Sequence, residues 1–321
     1  MRWYWKCLID SAKAMVPLRT QVRRWKHQVC GYPTDPINDR VTTEQGLLLI
    51  DSIQSLRPFA GITILEVGTG WRPIIPILYS MAGAQRVLLT DLRPLCSAST
   101  IAAAAASLRA NKQLIVSRLS LSDAQFDAAL SWKPDWSFAD ILRHLRLEYL
   151  APCDCQNLDL PAASVDAVVS RAVLEHIPPP VVQGIFRESF RILRENGLNI
   201  HIIDNSDHWQ HADASLSRLN FLRFPESVFR WTYLNGLNYQ NRLRHSQYLE
   251  FLQSSGFSIL RQEGSVDTKS LADLAHIPLA EPFRRFTQQD LAILTTFVIA
   301  AKPQPLLVPT EGEARLDYFT K

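Results

Sequence analysis

The stretch ITILEVGTGWRPIIPILYS, residues 62–80, decides the fold of this protein. Residues 62–67 form a short apolar segment that ends in Glu66 and Val67, and Gly68, Thr69 and Gly70 follow at once. Closely spaced glycines directly after a strand let a ligand approach the backbone at the start of the next helix. The stretch therefore predicts a strand, a ligand-binding loop and a helix.

Six later segments have the same short apolar character as residues 62–67. They are residues 86–91, 148–154, 165–171, 198–204, 257–264 and 294–302. Strands that are apolar on both faces belong to parallel sheets covered by helices, and helical stretches such as 97–113 and 181–196 alternate with them. Gly197 fits the left-handed stop after the second of these helices. The pattern predicts a doubly wound, mostly parallel, seven-stranded α/β sheet.

The remaining segments define the domain organisation. Residues 1–57 are predicted to be an N-terminal helical extension, with a helix over 42–56 that Thr42 or Thr43 caps. Residues 58–303 form the main domain, which contains a helical insertion at 114–147 and a cap after the fifth strand at 205–248. Residues 304–321 form a Pro-rich C-terminal tail.

Composition limits the compartment and the partners. The chain has 321 residues, 47% hydrophobic content, a formal charge of +3 and five cysteines. An odd number of cysteines without a disulfide framework favours a reducing, cytoplasmic location. No apolar stretch reaches the roughly 18 residues that a membrane span requires, and no signal peptide is recognisable.

The N-terminal segment, residues 1–30, combines Trp3, Tyr4 and Trp5 with several lysines and arginines. A basic helix with interfacial aromatic residues can lie on an anionic membrane surface. The same pattern also fits an amphipathic helix packed on the domain with its basic face in water. The sequence leaves both interpretations open.

The glycine loop differs from a dinucleotide-binding fingerprint. Pro73 occupies the position of the third glycine, and the carboxylate of Glu66 would repel a pyrophosphate. A carboxylate at this position suits an ammonium group instead. Asp91, at the end of the second strand, can accept hydrogen bonds from both hydroxyls of a ribose. We therefore expect a nucleoside that carries a cationic amino-acid end.

Four ordered motifs between residues 58 and 204 resemble the class I S-adenosylmethionine-dependent methyltransferases. They are EVGTG at 66–70, LLTD at 88–91, CDCQNLDLPAASVDAVVSRAVLEHI at 153–177 and RILRENG at 191–197. The resemblance implies S-adenosylmethionine as cofactor. It implies a binding set of Glu66, Val67, Gly68, Thr69 and Gly70 for the amino-acid end, Asp91 and Leu92 for the ribose, Asp154 and Cys155 for the adenine, and Ser170 and Arg171 near the methyl group.

Arg72 stands where many members of this family have a further glycine. Together with Trp71, it either crowds the loop or reaches the substrate. Because Glu66, Gly68 and Gly70 are intact, we interpret Arg72 as a variation within the family.

Candidate catalytic residues are histidines close to strand ends, because methyl transfer to oxygen requires removal of a proton. His176 follows the fourth strand and His208 follows the fifth, and either is a candidate general base. The alternative for each is a hydrogen-bonded structural residue. Candidate acceptor-binding residues in the cap are Trp209, His211, Tyr239 and Arg242, whose alternative role is packing of the cap. Arg244 is a second candidate for anion contact. No metal site is expected, since the pair Cys153 and Cys155 lacks further cysteine ligands.

Several substrate classes are disfavoured. Nucleic-acid amino-methyltransferases of this fold carry an Asn/Asp-Pro-Pro-aromatic motif after the fourth strand, where this chain has Ser170-Arg171-Ala172-Val173. The modest charge adds no support for nucleic acid. A small-molecule, lipid-like or sugar-containing acceptor remains, with O-methylation as the expected reaction. The alternatives are a catalytically inactive cofactor-binding partner protein at a membrane surface and an NAD(P)-dependent oxidoreductase.

Overall fold

A computed structural model describes residues 35–233 and 239–304. These residues form an α/β fold around one seven-stranded sheet of order β3-β2-β1-β4-β5-β7-β6. β7 runs antiparallel to both of its neighbours, and the other pairings are parallel. The strands are β1 (Thr63–Val67), β2 (Arg86–Thr90), β3 (Leu147–Leu150), β4 (Val165–Arg171), β5 (Leu193–Asp204), β6 (Ser258–Glu263) and β7 (Thr295–Ala301). All seven predicted strands are confirmed; β4 matches its predicted range, and the other six have shifted ends.

Helices cover both faces of the sheet. Before β3 they are α1 (Pro36–Gln54), α2 (Ile74–Met81), α3 (Ala98–Ala110), α4 (Lys112–Leu119), α5 (Asp123–Ala129) and α6 (Phe138–His144). After β4 they are α7 (Pro179–Ile192), α8 (Glu226–Tyr233), α9 (His245–Ser254), α10 (Thr268–Asp273) and α11 (Gln288–Leu291). The predicted helical insertion at 114–147 corresponds to the end of α4, α5 and α6.

The two faces of the sheet contribute to two separate apolar cores. Ile64 of β1 belongs to the core that includes α1 to α3, whereas its neighbour Leu65 belongs to the core beneath α7 and α9. This alternation follows from the pleat, which points successive side chains to opposite faces. The order of the strands reverses between β1 and β4, and ligands bind at such switch points, beyond the carboxyl ends of the strands.

α1 begins earlier than the sequence pattern predicts. Asp35 is its N-cap and accepts a hydrogen bond from the backbone N–H of Asn38 at 3.2 Å. Pro36 fits the first helical position because its fixed φ suits a helix and it needs no N–H partner there. Thr42 and Thr43 instead lie inside the helix and donate to carbonyls four residues earlier, so their predicted capping role was wrong.

The predicted role of Gly197 as a helix stop was also wrong. α7 ends at Ile192, and β5 begins at the next residue and contains Gly197. The left-handed conformation falls on Asn196, whose φ is 58°. The chain therefore passes from helix to strand without the glycine stop that the sequence suggested.

The cap consists of short helices that pack together with residues 274–294. Together they form a third, smaller apolar cluster that includes Trp209, Phe221 and Phe283. The predicted N-terminal helix over residues 1–30 and residues 305–321 of the predicted tail lie outside the described residues. None of the described helices has the length and apolar character needed to cross a membrane.

Candidate active site

The glycine loop after β1 has a conformation that its glycines make possible. Gly68 and Gly70 have φ angles of +74° and +70°, which other residues rarely adopt. A Cβ atom on Gly68 would lie 2.5 Å from Cγ1 of Val173, so the position also lacks space for a side chain. Gly68 and Thr69 donate their backbone N–H groups to the carbonyl oxygen of Thr90, at 3.0 Å and 2.9 Å. These bonds hold the loop against the end of β2.

Glu66 is a buried carboxylate at the base of this loop. It is 6% exposed, and its Oε2 has no hydrogen-bond partner among the described residues. Burial raises its pKa to about 7, and the negative charge of Asp91 adds to the rise, whereas Thr69 and Arg171 oppose it. The Thr69 hydroxyl falls short of hydrogen-bond geometry, and its Oγ1 is equally unpartnered. An incoming ammonium group would satisfy both oxygens.

A cavity of about 490 Å³ opens beside the loop and extends along the ends of β1, β2 and β4. We call it the cofactor cavity, because several of the predicted cofactor residues line it. Asp91, Leu92, Asp154 and Cys155 all line it, as predicted from their positions at strand ends. The backbone N–H of Cys153 donates to the carbonyl oxygen of Asp91 at 2.8 Å. This bond joins the second and third strand ends despite the insertion between them.

The four lining residues differ in their hydrogen bonds and in their exposure. Asp91 accepts hydrogen bonds from the backbone N–H groups of Gly70 and Arg93, both at 3.0 Å. Leu92 is 71% exposed and offers an apolar surface. Asp154 accepts from the backbone N–H of Gln156 at 3.0 Å, and buried Cys155 lies 3.0 Å from the Thr90 hydroxyl. The cavity thus has acceptor groups beside an apolar wall.

The last two predicted cofactor residues have different settings. Ser170 is 1% exposed, and its hydroxyl lies 2.8 Å from Nδ1 of His201 on β5, so it does not line the cofactor cavity. Arg171 lines a small cavity of about 160 Å³ together with Glu66 and Gly68. Its Nε donates to Oε1 of Gln45 on α1 at 2.6 Å.

Arg72 leaves the loop and pairs with the N-terminal part of α1. Its two terminal nitrogens bind the two carboxylate oxygens of Asp39 at 2.8 Å and 2.5 Å. Ser107 on α3 donates to the same carboxylate at 2.6 Å. Burial alone would raise the pKa of Asp39, but Arg72 and Ser107 outweigh it and lower that pKa. Arg72 therefore fixes the loop against two helices.

A second cavity of about 330 Å³ adjoins the cofactor cavity at the ends of β4 and β5. Ala172 lines both cavities, and Arg171 lines the second cavity as well as the small one beside Glu66. Asp204 and His211 also line the second cavity. A ligand there would lie next to a nucleoside held by the glycine loop.

The predicted histidines meet between the two cavities. The rings of His176 and His208 lie 5.0 Å apart, and those of His208 and His211 lie 5.5 Å apart. Nε2 of His208 lies 3.3 Å from Oδ2 of Asp204. Burial lowers the pKa of His208, but the Asp204 carboxylate outweighs this and raises it above its usual value.

Glu175 completes this group, which we call the histidine cluster: Glu175, His176, Asp204, His208 and His211. Glu175 is 1% exposed, and neither of its carboxylate oxygens has a hydrogen-bond partner in another described residue. Burial raises its pKa to about 8, and the charge of Asp204 adds to the rise.

Residues 239–241 hold the two loops of the cluster together. Nδ1 of His176 donates to the carbonyl oxygen of Tyr239 at 2.8 Å. Gln240 accepts from the backbone N–H of His208 at 3.1 Å. Asn241 donates to the carbonyl oxygens of Leu174 and Ile177 on either side of Glu175 and His176, at 2.7 Å and 2.8 Å.

Two predicted acceptor-binding residues of the cap lie in its interior instead. Trp209 is 5% exposed and packs in the third apolar cluster. Arg242 donates to the carbonyl oxygens of Phe221 and Phe224 and pairs with Glu226. Arg244, 1% exposed, donates to the carbonyl oxygen of Asn205. Both arginines stabilise the cap, and neither is placed to contact an acceptor.

The sequence alone did not indicate Glu175, Asp204 or the hydrogen bonds that residues 239–241 make to the two loops of the cluster. Glu175 stands next to His176 in the sequence, and Asp204 ends β5, so both positions carried a signal. The role of residues 239–241 gave no signal in the sequence, because their hydrogen-bond partners are more than 30 residues away along the chain.

A family model described as a methyltransferase domain matches residues 139–200 of the chain, and no curated protein matches it in sequence. The structure is similar to that of an S-adenosylmethionine-dependent methyltransferase from Mesorhizobium loti, with 17% identity over 78% of this chain and 96% of that chain and a TM-score of 0.43.

A second similar structure is the geranyl diphosphate C-methyltransferase from Streptomyces coelicolor A3(2), with 14% identity over 82% of this chain and 79% of that chain and a TM-score of 0.45. A third is a putative methyltransferase from Bacillus halodurans C-125, with 13% identity over 80% of this chain and 99% of that chain and a TM-score of 0.41.

The buried unpartnered carboxylate of Glu66, the loop in which Gly68 has no space for a side chain, and the adjoining cavity fit the amino-acid and nucleoside parts of one ligand. The matched segment, residues 139–200, contains β4 and the loop that closes this cavity. The observed sheet order and the match of residues 139–200 to a methyltransferase domain agree with the fold predicted from the sequence.

Proposed function

We propose that the protein transfers the methyl group of S-adenosylmethionine to an oxygen atom of a small-molecule acceptor bound in the second cavity. One observation carries this proposal: the cofactor cavity and the second cavity share Ala172 and are bordered by the histidine cluster. A cavity of about 330 Å³ suits a small ligand, since pockets for such ligands begin near about 300 Å³.

The cofactor would be held by residues at the carboxyl ends of β1, β2 and β3. Glu66 would accept hydrogen bonds from its ammonium group, and Asp91 from its ribose hydroxyls. Leu92 and Asp154 would border the adenine, with Leu92 supplying an apolar contact. The bound cofactor supplies a methyl group on a sulfonium, whose leaving group is neutral, so the protein mainly positions the acceptor.

His208 or His176 would take the proton from the acceptor oxygen. His176 lines the cofactor cavity. Asp204 lines the second cavity, and its carboxylate, 3.3 Å from Nε2 of His208, would orient that ring. His176 has its Nδ1 bound to the carbonyl oxygen of Tyr239, which leaves Nε2 as the free acceptor for a proton. A positioned base of this kind typically contributes about 10²- to 10⁴-fold in rate.

The second cavity favours a polar acceptor. Gln45, Arg171, Ser206, Gln210 and Arg218 line it and offer several hydrogen-bond donors. A hydroxylated acceptor, including one that carries a sugar or an acidic group, would match these donors. A lipid-like acceptor would have to extend beyond this polar lining.

The test is single-turnover methyl transfer from radiolabelled S-adenosylmethionine to fractionated small-molecule extracts. We expect a labelled product, a loss of about 100-fold in rate for His208→Gln or His176→Gln, and unchanged transfer for the exposed control His144→Gln. Cofactor binding without any labelled product would instead favour an inactive cofactor-binding protein. Unchanged transfer in both cluster variants would remove the role of the histidines as bases.

A second proposal concerns location. The basic, aromatic segment at residues 1–30 would contact an anionic membrane surface from the cytoplasmic side. Sedimentation with vesicles containing phosphatidylserine, compared with neutral vesicles, tests it. Equal binding to both kinds of vesicle would contradict an electrostatic contact.

A further inference from the structure

We propose that Glu175, His176 and His208 bind a divalent transition-metal cation between the two cavities. Each residue offers one ligand atom, and these atoms all lie within 4.8 Å of one another. Ligand atoms around a tetrahedral metal at about 2.1 Å are about 3.4 Å apart. Small side-chain rotations are therefore enough to bring the three atoms to one cation.

Glu175 is the residue that most clearly lacks a partner. Its side chain is 1% exposed, and neither carboxylate oxygen contacts a donor in another described residue. A buried carboxylate without a partner is unfavourable, and buried charges are normally paired or bound to metals. The charges of His208 and Arg171 act on it, yet neither residue donates a hydrogen bond to its oxygens. A cation bound by the cluster would satisfy this carboxylate.

His176 is arranged as a metal ligand usually is. Its Nδ1–H donates to the carbonyl oxygen of Tyr239 at 2.8 Å, which leaves the lone pair on Nε2. Histidines that bind metals almost always donate their other ring nitrogen in this way, and the bond fixes both the tautomer and the ring orientation. Asn241 and Gln240 bind the backbone of the two loops that carry the ligands, so these loops are held together before any ion enters.

The remaining members of the cluster extend the ligand set. Asp204, His208 and His211 form a second group whose ligand atoms also lie within 4.8 Å of one another. His208 is common to both groups, so the second group, with two imidazoles and one carboxylate, borders the proposed site. A mixed nitrogen and oxygen set suits Zn²⁺, Mn²⁺, Fe²⁺ or Co²⁺, whereas Mg²⁺ prefers oxygen ligands alone.

The role of this cation rests on the proposed function. His176 lines the cofactor cavity, and Asp204 and His211 line the second cavity, so the cation would lie where the acceptor oxygen meets the methyl group. The acceptor hydroxyl would bind the cation and lose its proton to water. Its oxygen would then form a bond to the methyl carbon as the carbon–sulfur bond breaks, with the bonding pair remaining on sulfur. In this state His208 is a ligand and not a base.

The experiment uses the full chain without a histidine tag, freed of metal by a chelator and titrated with Co²⁺ while the visible absorption is recorded. We expect a saturable cobalt spectrum with one ion per chain, which Zn²⁺ abolishes and Mg²⁺ does not. Glu175→Gln and His208→Gln should each weaken Co²⁺ binding by at least about tenfold. The control His144→Gln changes an exposed histidine outside the cluster and should bind as the wild type does.

S-adenosylhomocysteine binding by each variant shows that the fold is intact. Co²⁺ binding of equal strength in the wild type and in both cluster variants, or no cobalt spectrum at all, would overturn the metal site. Full methyl transfer by the metal-free protein would overturn the role of the cation at the acceptor oxygen. The proposed function can fail independently of the metal site. Loss of the cobalt spectrum in the cluster variants would support the metal site even if no acceptor were methylated.

Discussion

Binding of the cofactor should depend on the ionisation of Glu66. The free protein holds this carboxyl with a pKa of about 7, mainly because it is buried. The ammonium group of the cofactor prefers the ionised form, so binding should pull the pKa down and release a proton. Affinity should therefore rise as the pH increases through the range below 7.

The size of the effect follows from the ionised fraction. With a pKa of about 7, the carboxyl is about 3% ionised at pH 5.5 and about half ionised at pH 7. If the bound state keeps Glu66 ionised throughout, affinity increases about 15-fold over this range, or about 1.6 kcal/mol. The amino group of the ligand stays protonated here, because α-amino groups titrate near about 7.7–8.0.

Other charged or titratable groups interact with Glu66, so the assay needs a control variant without this carboxyl. Asp91 raises its pKa, Arg171 lowers it, and the buried Tyr79 and Cys96 feel its charge. The assay is calorimetric titration of the wild type and Glu66→Gln with S-adenosylhomocysteine at four pH values in two buffers of different ionisation enthalpy. We expect the wild type to release about half a proton at pH 7 and the variant to bind weakly with no release from this site.

The same shift makes a prediction about the unliganded protein. When the pKa of a carboxyl is higher in the folded state than in the unfolded state, the folded protein loses stability as the pH rises from the unfolded-state pKa to the folded-state pKa. Glu66→Gln should therefore raise the unfolding free energy at pH 8 by up to about 3 kcal/mol and leave it nearly unchanged at pH 4.

The binding prediction would be refuted by a wild-type affinity that is flat between pH 5.5 and 7, or by a pH dependence of affinity that persists in Glu66→Gln.

Three further predictions concern the same loop and its supports. Asp39→Ala should lower the unfolding free energy by about 3 kcal/mol in urea, because it leaves the Arg72 guanidinium buried without its carboxylate. Gly68→Ala should cost about 1–2 kcal/mol from its φ of +74° alone, and more from contact with Val173, with a parallel loss of S-adenosylhomocysteine affinity by calorimetry. Arg171→Met should move the rise in that affinity to higher pH, since Arg171 lowers the pKa of Glu66.

Matched controls separate these effects from general damage. Asp51→Ala removes the more exposed pair with Arg118 and should cost less than about 1 kcal/mol. Gly61→Ala introduces a Cβ at a φ of +81° with no atom within 4 Å, so it measures the backbone cost alone. Equal losses in Gly61→Ala and Gly68→Ala would contradict the proposed contact with Val173, and an Asp39→Ala loss as small as that of Asp51→Ala would contradict the buried pair.

The sheet could be predicted from the sequence because each strand carries its own signal. Residues 165–171 match β4 from end to end, since the strand is buried along almost its whole length and the apolar residues at 165 and 167–169 mark it in the sequence. Element ends were less predictable where a competing local feature decided them. At α1, a proline and an aspartate cap set the start, six residues before the threonines that the pattern favoured.

The grouping of the candidate cofactor residues could be predicted because the carboxyl ends of parallel strands meet at one edge of the sheet. Glu66, Asp91 and Asp154 each followed from its place after a strand. The cap could not be predicted in this way, because aromatic and basic side chains have the same composition whether they face a ligand or each other. Arg242 lies over the ring of Phe229 at 3.9 Å, a contact that spacing along the chain does not reveal.

Arg72 shows how a residue that departs from the family pattern is accommodated. The glycine loop tolerates a large cation beside it because α1 supplies Asp39 and α3 supplies Ser107, both buried at the end of that side chain. α1 also supplies Gln45, which binds Arg171 at the mouth of the second cavity. The helix that precedes the sheet therefore holds one arginine beside the glycine loop and another beside the second cavity. A change at Asp39 should consequently alter cofactor binding through Arg72, and a change at Gln45 should alter acceptor binding through Arg171.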